Sequence, residues 1–474
     1  MAPHAHSHAF RSFNARTREG LTLLSRRNML KASIAGLAGL TLPGLLQAQE
    51  RGAPSGKSVL LLWMAGGPSH IDTWDPKPDR PYQNRGPFAT IPTRQTGVRV
   101  CEYLPRMAGM LDRFTLLRSV DASHSNHEPN MVFQTGARQA APRINPQGRM
   151  YPALGSVVAK HHGPNHPGMP PYVAFMKSRS HLAWGGYLGR QYDPFIANQA
   201  CRLPIYDLVG VDTGAVTQAD LFSMPLGITQ ERIHERRGLL RSFDTLRADI
   251  DNTGLLTSMD RYGQQAVEIL LGARARDAFD INREPAAVRA RYGDHLWCQQ
   301  ALIARRLIEA GVSFLTIDLS YHTASGTWDT HGDNIPPYGG IWNGLRPLLP
   351  LFDHLITTLV ADLEQRGLLE NTLVLAMGEF GRTPLMGTQD STDGRNHWPV
   401  VMSMAVAGGG MRHGQTIGAT EADGGAIKER PVTPADLAAT ILHHFGLSQD
   451  LTYNDATGRP RYVIEGGRPI AELV

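Results

Sequence analysis

Four apolar runs, Ser58–Ala65, Phe114–Val120, Val312–Leu319 and Thr372–Met377, read as strands. Each gives way at once to a loop rich in His, Asp, Glu, Asn or Ser: GGPSHIDTWD (66–75), DASHSNHEPN (121–130), TWDTHGDN (327–334) and GEFGRTP (378–384). The carboxyl ends of strands in an open parallel sheet share one edge, so these loops are predicted to converge on a single crevice. Helical periodicity frames the later strands. Val288, Tyr292, Leu296, Ile303 and Leu307 predict one helix over 285–310, stopped by Gly311, and Leu351, Leu355, Leu359 and Leu363 predict a second, opened by Pro350 and ended by Gly367. The strand–helix–strand unit so formed makes its two strands parallel. One more strand is expected over 400–407, and Thr433-Pro434 caps a last amphipathic helix running to Phe445.

Residues 138–215 are rich in Pro, Gly and His and predict long loops around the rim of the sheet, while 228–282 read as helical. A helical insertion around 228–310, packed on the same domain, accounts for that stretch. The N-terminal 48 residues are different in kind. Ser25-Arg26-Arg27-Asn28-Met29-Leu30-Lys31 precedes a mildly apolar stretch from Ala32 to Leu46 and the small-residue cleavage point Leu46-Gln47-Ala48, the layout of a twin-arginine export signal. The expected organisation is therefore a signal peptide over 1–48 and one α/β domain over 49–474, periplasmic or extracellular after passage through the twin-arginine translocase. No later run is long and apolar enough to anchor the processed chain in a bilayer.

Charge follows the leader. The whole chain carries +4, and residues 1–48 carry +5, so the mature part is close to neutral at −1. The basic character is lost on processing and gives no reason to expect a nucleic-acid partner. Three cysteines, Cys101, Cys201 and Cys298, allow at most one intrachain disulfide, and there is no CxxC for a thiolate metal site.

The segments GGPSHIDTWDPKP, FDINREPAAVRARYG, TWDTHGDN, MGEFGRTP, GRNHWP and PVTPADLAATILHHFG, in that order, resemble the domain-of-unknown-function family 1501 (DUF1501), exported relatives of the alkaline phosphatase and sulfatase superfamily, over roughly residues 22–474. The resemblance implies a three-layer α/β/α sandwich around a mostly parallel sheet, and metal-assisted hydrolysis of phosphate or sulfate esters. It also implies departures. Glu379-Phe380-Gly381 stands where a sulfatase has Asp-His-Gly, Asn126 stands at the nucleophile's place before Thr135-Gly136, and Ala65-Gly66-Gly67 replaces the paired aspartates after the first strand. Without a side-chain nucleophile, attack by metal-activated water is expected in place of a covalent intermediate.

The residues themselves offer oxygen and nitrogen donors for a hard or borderline ion: Asp72, His70, Asp329, His331, Glu379 and His397 are the candidate ligands. Zinc, manganese, magnesium and calcium all fit such a set. His127 is a candidate base or ligand, Asn126 a candidate for orienting an ester oxygen or ligating a hard cation, and Arg382 and Arg395 candidate clamps for a tetrahedral oxyanion. Ser69 lacks the G-x-S-x-G setting of a nucleophilic serine. The expected substrate is a small-molecule or glycan ester. The alternative is a catalytically degenerate protein that uses the same fold to bind anionic glycans or cell-surface partners.

Overall fold

A computed structural model describes residues 56–474, apart from 128–129, 220, 222–271, 324, 333–336, 338 and 389. The expected export signal and most of the expected helical insertion lie outside the described residues. Eight strands form one sheet: β1 (Ser58–Trp63), β2 (Phe114–Val120), β3 (Tyr172–Phe175), β4 (Phe195–Ile196), β5 (Phe314–Asp318), β6 (Thr372–Met377), β7 (Met402–Gly408) and β8 (Gln415–Ile417). Their order across the sheet is β8-β2-β7-β6-β1-β5-β3-β4. β1 lies at the centre, parallel to both β5 and β6, with Val59 opposite Phe314 and Ser58 opposite Thr372.

The sheet is mostly parallel, with one exception. β7 runs antiparallel to both β6 and β2, so its first residues start at the edge where the other strands end. β1 and β6 are buried at every position, because both faces of the sheet are covered. Leu60, Leu62 and Met64 of the β1 region pack into one core with α4 (Leu296–Ala310) and α5 (Arg346–Gln365). Val59, Leu61 and Trp63, on the other face, share a core with α1 (Leu154–His161) and α6 (Pro434–His444). Period-two alternation along one strand thus feeds two helical layers, which is the α/β/α sandwich.

Several expected boundaries move. The helix expected over 285–310 is two helices, α3 (Ala286–Tyr292) and α4, separated where Gly293 adopts φ +88°; a shorter helix, α2 (Ala273–Phe279), precedes them. α5 begins at Arg346, and Pro350 lies inside it rather than opening it. A π-helical turn over Ile341–Leu345 leads directly into α5, and Pro347 occupies its second position. Residues 138–215 are more ordered than long rim loops: they supply α1, the strand β3 and the edge strand β4 between short helical turns. Thr433 caps α6 in a full capping box with Asp436. All three cysteines are buried and unpaired, so the one allowed disulfide does not form. No helix among the described residues is long and apolar enough to cross a membrane.

Candidate metal centre

The loops after β1, β2, β5 and β6 do meet. Gly66 follows β1, His127 comes from the loop after β2, Asp329 and His331 from the loop after β5, and Glu379 stands two residues beyond β6. The fifth contribution arrives with β7. A short hairpin pairs Gly381–Arg382 with His397–Trp398, putting Arg382 directly across from His397, and the chain then enters β7 from the same edge.

His127, Asp329, His331 and His397 form the centre. Each offers one ligand atom, and these atoms all lie within 4.8 Å of one another. Asp329 is the hub. Its Oδ1 lies 3.1 Å from His331 Nε2, 3.5 Å from His397 Nε2 and 2.5 Å from an Arg382 Nη, and its Oδ2 lies 3.2 Å from His127 Nε2. Ser325 Oγ donates to Oδ2 as well. His127 Nε2 and His397 Nε2 face each other at 2.7 Å. Three imidazole nitrogens and a buried carboxylate pointed at one spot leave lone pairs confronting each other unless a proton or a cation lies between them. Ligand atoms around a zinc-sized ion at about 2.0–2.2 Å fall at comparable mutual separations, so the donor set fits a divalent ion.

The electrostatics point the same way. Burial works against charge on His127, but the Asp329 and Glu379 carboxylates on either side outweigh it and hold its pKa above the usual imidazole value. Burial likewise opposes ionisation of Asp329, yet the Arg382 guanidinium and the three imidazoles keep its carboxyl well below the ordinary carboxylate range. His397 is pushed down to about 4, by burial first and then by Arg382 and His127.

Glu379 stands behind His127 rather than among the ligand atoms. Its Oε1 accepts from His127 Nδ1 at 2.5 Å and from the Gly66 backbone N–H at 2.9 Å. Its Oε2 is buried with no hydrogen-bond partner. Asn126, half-buried, uses its side-chain oxygen to accept the backbone N–H of His127, closing the local turn. The structure does not bring His70 and Asp72 into the centre. His70 Nε2 donates to the Gly424 carbonyl at 2.8 Å, and Asp72 is held by Arg395, with Nε to Oδ2 at 2.7 Å, and by Ser69 Oγ at 2.5 Å. That last contact also ties up the hydroxyl of the buried Ser69.

Neither candidate clamp is open to an oxyanion. Arg395 is fully buried, and besides Asp72 it donates to the carbonyls of Thr383, Pro384 and Asn84. Arg382, also fully buried, donates to the carbonyls of Gly66, Gly67 and Arg395 while it contacts Asp329. Both arginines therefore tie loops together. Sequence reasoning missed Gly66 and Ser325 as site residues. Gly66 leaves one signal, a Gly-Gly pair directly after a buried strand; Ser325 leaves none.

No curated protein matches the chain. Among solved structures it is similar to the PsFucS1 sulfatase from Pseudoalteromonas sp., at 13% identity over 90% of this chain and 73% of that one, with a TM-score of 0.37. It is also similar to the lipoteichoic acid synthase LtaP from Listeria monocytogenes (8% identity, 88% and 78% covered, TM-score 0.35) and to the phosphonate monoester hydrolase of Agrobacterium radiobacter (13%, 88% and 77%, 0.34). These likenesses are loose. The family model described as protein of unknown function DUF1501 matches residues 56–474, and the chain belongs to that family.

Proposed function

We propose that the protein is an exported, divalent-metal-dependent hydrolase of phosphate or sulfate esters. The observation that carries this reading is the convergence of His127, Asp329, His331 and His397 at the carboxyl edge of the sheet, where open α/β sheets place their ligands. These four residues would hold the ion, which supplies Lewis acidity toward an ester oxygen and lowers the pKa of bound water. The chain's own part is positioning. Arg382 keeps Asp329 ionised, Glu379 and Gly66 brace His127 from behind, and the burial of Asp329 and His127 keeps bulk water from the inner side of the site. His397, whose side chain is 33% exposed, marks the side open to solvent and substrate. Ser69 is buried against Asp72 and Asn126 is an amide, so neither serves as a nucleophile and direct attack by water is the expected route.

Elemental analysis of the folded, leader-free protein, beside an Asp329→Ala/His331→Ala variant, tests the proposal. About one equivalent of a divalent metal in the parent, lost in the variant, is expected, together with turnover of aryl sulfate or phosphate esters that disappears in the variant. A parent that takes up no metal after refilling with zinc, manganese, magnesium or calcium overturns the hydrolase reading. Metal uptake with ligand binding and no turnover of any ester would assign the site to recognition.

A further inference from the structure

We infer that Glu379 is a positioning residue for the metal centre: it fixes His127 so that Nε2, and not Nδ1, faces the ion. The inference rests on the metal-dependent reading above and assigns a role that the resemblance does not, since there the carboxylate after this strand stands among the candidate ligands. Three observations carry it.

The Glu379 oxygen nearest His127 meets Nδ1, the ring nitrogen turned away from Asp329, at 2.5 Å, while Nε2 is the nitrogen directed at Asp329 and His397. A carboxylate can only accept, so Nδ1 carries the proton, and a neutral His127 then presents its lone pair at Nε2. A carboxylate behind a ligating imidazole orients the ring and raises its basicity.

The carboxylate is itself fixed. Oε1 also accepts the Gly66 N–H at 2.9 Å, and Glu379 is 1% exposed. Gly66 is locked in turn. It adopts φ +114°, and a Cβ there would stand 2.3 Å from the backbone nitrogen of Asp329. One glycine therefore touches the backbone that carries the central carboxylate, donates to the carboxylate that orients His127, and through its carbonyl accepts from Arg382. Where the resemblance leads one to expect paired aspartates after β1, this chain has a backbone brace.

The third observation is what Glu379 does not do. Its free oxygen, Oε2, is buried without a partner, and the converging ligand atoms come from the other four residues. Direct ligation through Oε2 is the rival role, and it predicts a different spectrum.

Cobalt(II) is the probe. The leader-free protein, E379Q and E379A are loaded with cobalt, affinity is read by competition with a chelator, and the donor set from the visible d–d bands; thermal melts of the metal-free forms check folding. E379Q keeps an acceptor oxygen and is expected to bind one ion with unchanged bands and roughly 10-fold weaker affinity, and E379A roughly 100-fold weaker. Equal affinity in all three proteins overturns the inference, and so does a shift of the bands in E379Q, which would make Glu379 a ligand. A readout without metal separates this failure from that of the proposed function. In the metal-free protein, nitrogen-15 NMR should show a strongly downfield His127 Nδ1–H that survives in E379Q and vanishes in E379A, and its absence in the parent overturns the pairing. If the parent shows that proton but takes up no cobalt, the hydrolase reading fails, and the positioning role falls with it while the hydrogen bond stands.

Discussion

Arg395 and Asp72 show how much of a site's charge can be spent on holding it together. Both side chains are fully buried, and the guanidinium gathers the carbonyls of Asn84, Thr383 and Pro384 around the carboxylate. Removing one partner strands a buried charge, which typically costs about 3–5 kcal/mol. Arg395→Ala should therefore lower unfolding stability in urea by about that amount, whereas the fraction still folded keeps its metal stoichiometry. Loss of metal at unchanged stability would return Arg395 to the site. At this scale the sequence was half legible. Asp329, His331 and His397 were identifiable as donors from residue type and loop position. His70 and Asp72 have the same type and a similar position, and only partners more than 300 residues away in sequence, Gly424 and Arg395, show what they do. His127 and Glu379 were singled out too: the geometry puts His127, a candidate base or ligand, among the ligand atoms, and Glu379, a candidate ligand, behind it.

Elements meet at this site backbone to backbone. The end of β1 and the loop after β5 approach so closely that a Cβ on Gly66 would stand 2.3 Å from Asp329 N and one on Gly326 would stand 2.1 Å from the Ala65 carbonyl, while the Trp328 N–H donates to that same carbonyl at 3.0 Å. Gly66→Ala forces the two segments apart as well as straining a left-handed φ. It should destabilise the protein by about 2–4 kcal/mol and weaken metal binding with it. Gly367→Ala is the control. Gly367 also has a positive φ, +69°, but nothing lies within 4 Å of its Cβ position, so only the backbone cost of about 1–2 kcal/mol is expected, with metal binding intact. Equal losses in the two variants, by urea unfolding and metal titration, would refute the close-approach argument. The strands were legible because burial on both faces leaves uninterrupted apolar runs. The direction of β7 was not, since an antiparallel strand buried on both faces has the same composition as a parallel one. The break between α3 and α4 was hidden because apolar residues on both sides of Gly293 keep the helical period.

Stability of the whole molecule should depend on pH through histidines that have nothing to do with the metal. His444 on α6 is buried, and its Nε2 donates at 2.9 Å to the carbonyl of Ser58, the first residue of the central strand. This bond ties a helix of the outer layer to the middle of the sheet. Burial pushes the imidazole down to about 4, against the favourable Ser58 contact, and burial likewise holds His161 and His295 near 4. A histidine kept neutral in the fold but free to protonate at about 6.5 once unfolded binds more protons in the unfolded state throughout the interval between those values. The contribution of these histidines to the unfolding free energy should then rise with pH from about 4 to 6.5 and level off above. On acidification the loss begins as pH falls through the unfolded value and is complete below the folded one, with roughly 3 kcal/mol assignable to His444. His444→Gln can retain the donor to Ser58 without a proton to take up, so its urea-unfolding profile should be flatter across this window by about that amount while matching the parent more closely at pH 5 than at pH 7. Carboxylates that titrate at the low end of this interval are common to the two proteins and cancel in the comparison, and the variant lies on the far helical layer, so the difference between the profiles reads the fold. A profile for His444→Gln as steep as the parent's would mean that acid acts elsewhere, and would remove the tie between α6 and β1 as a determinant of stability.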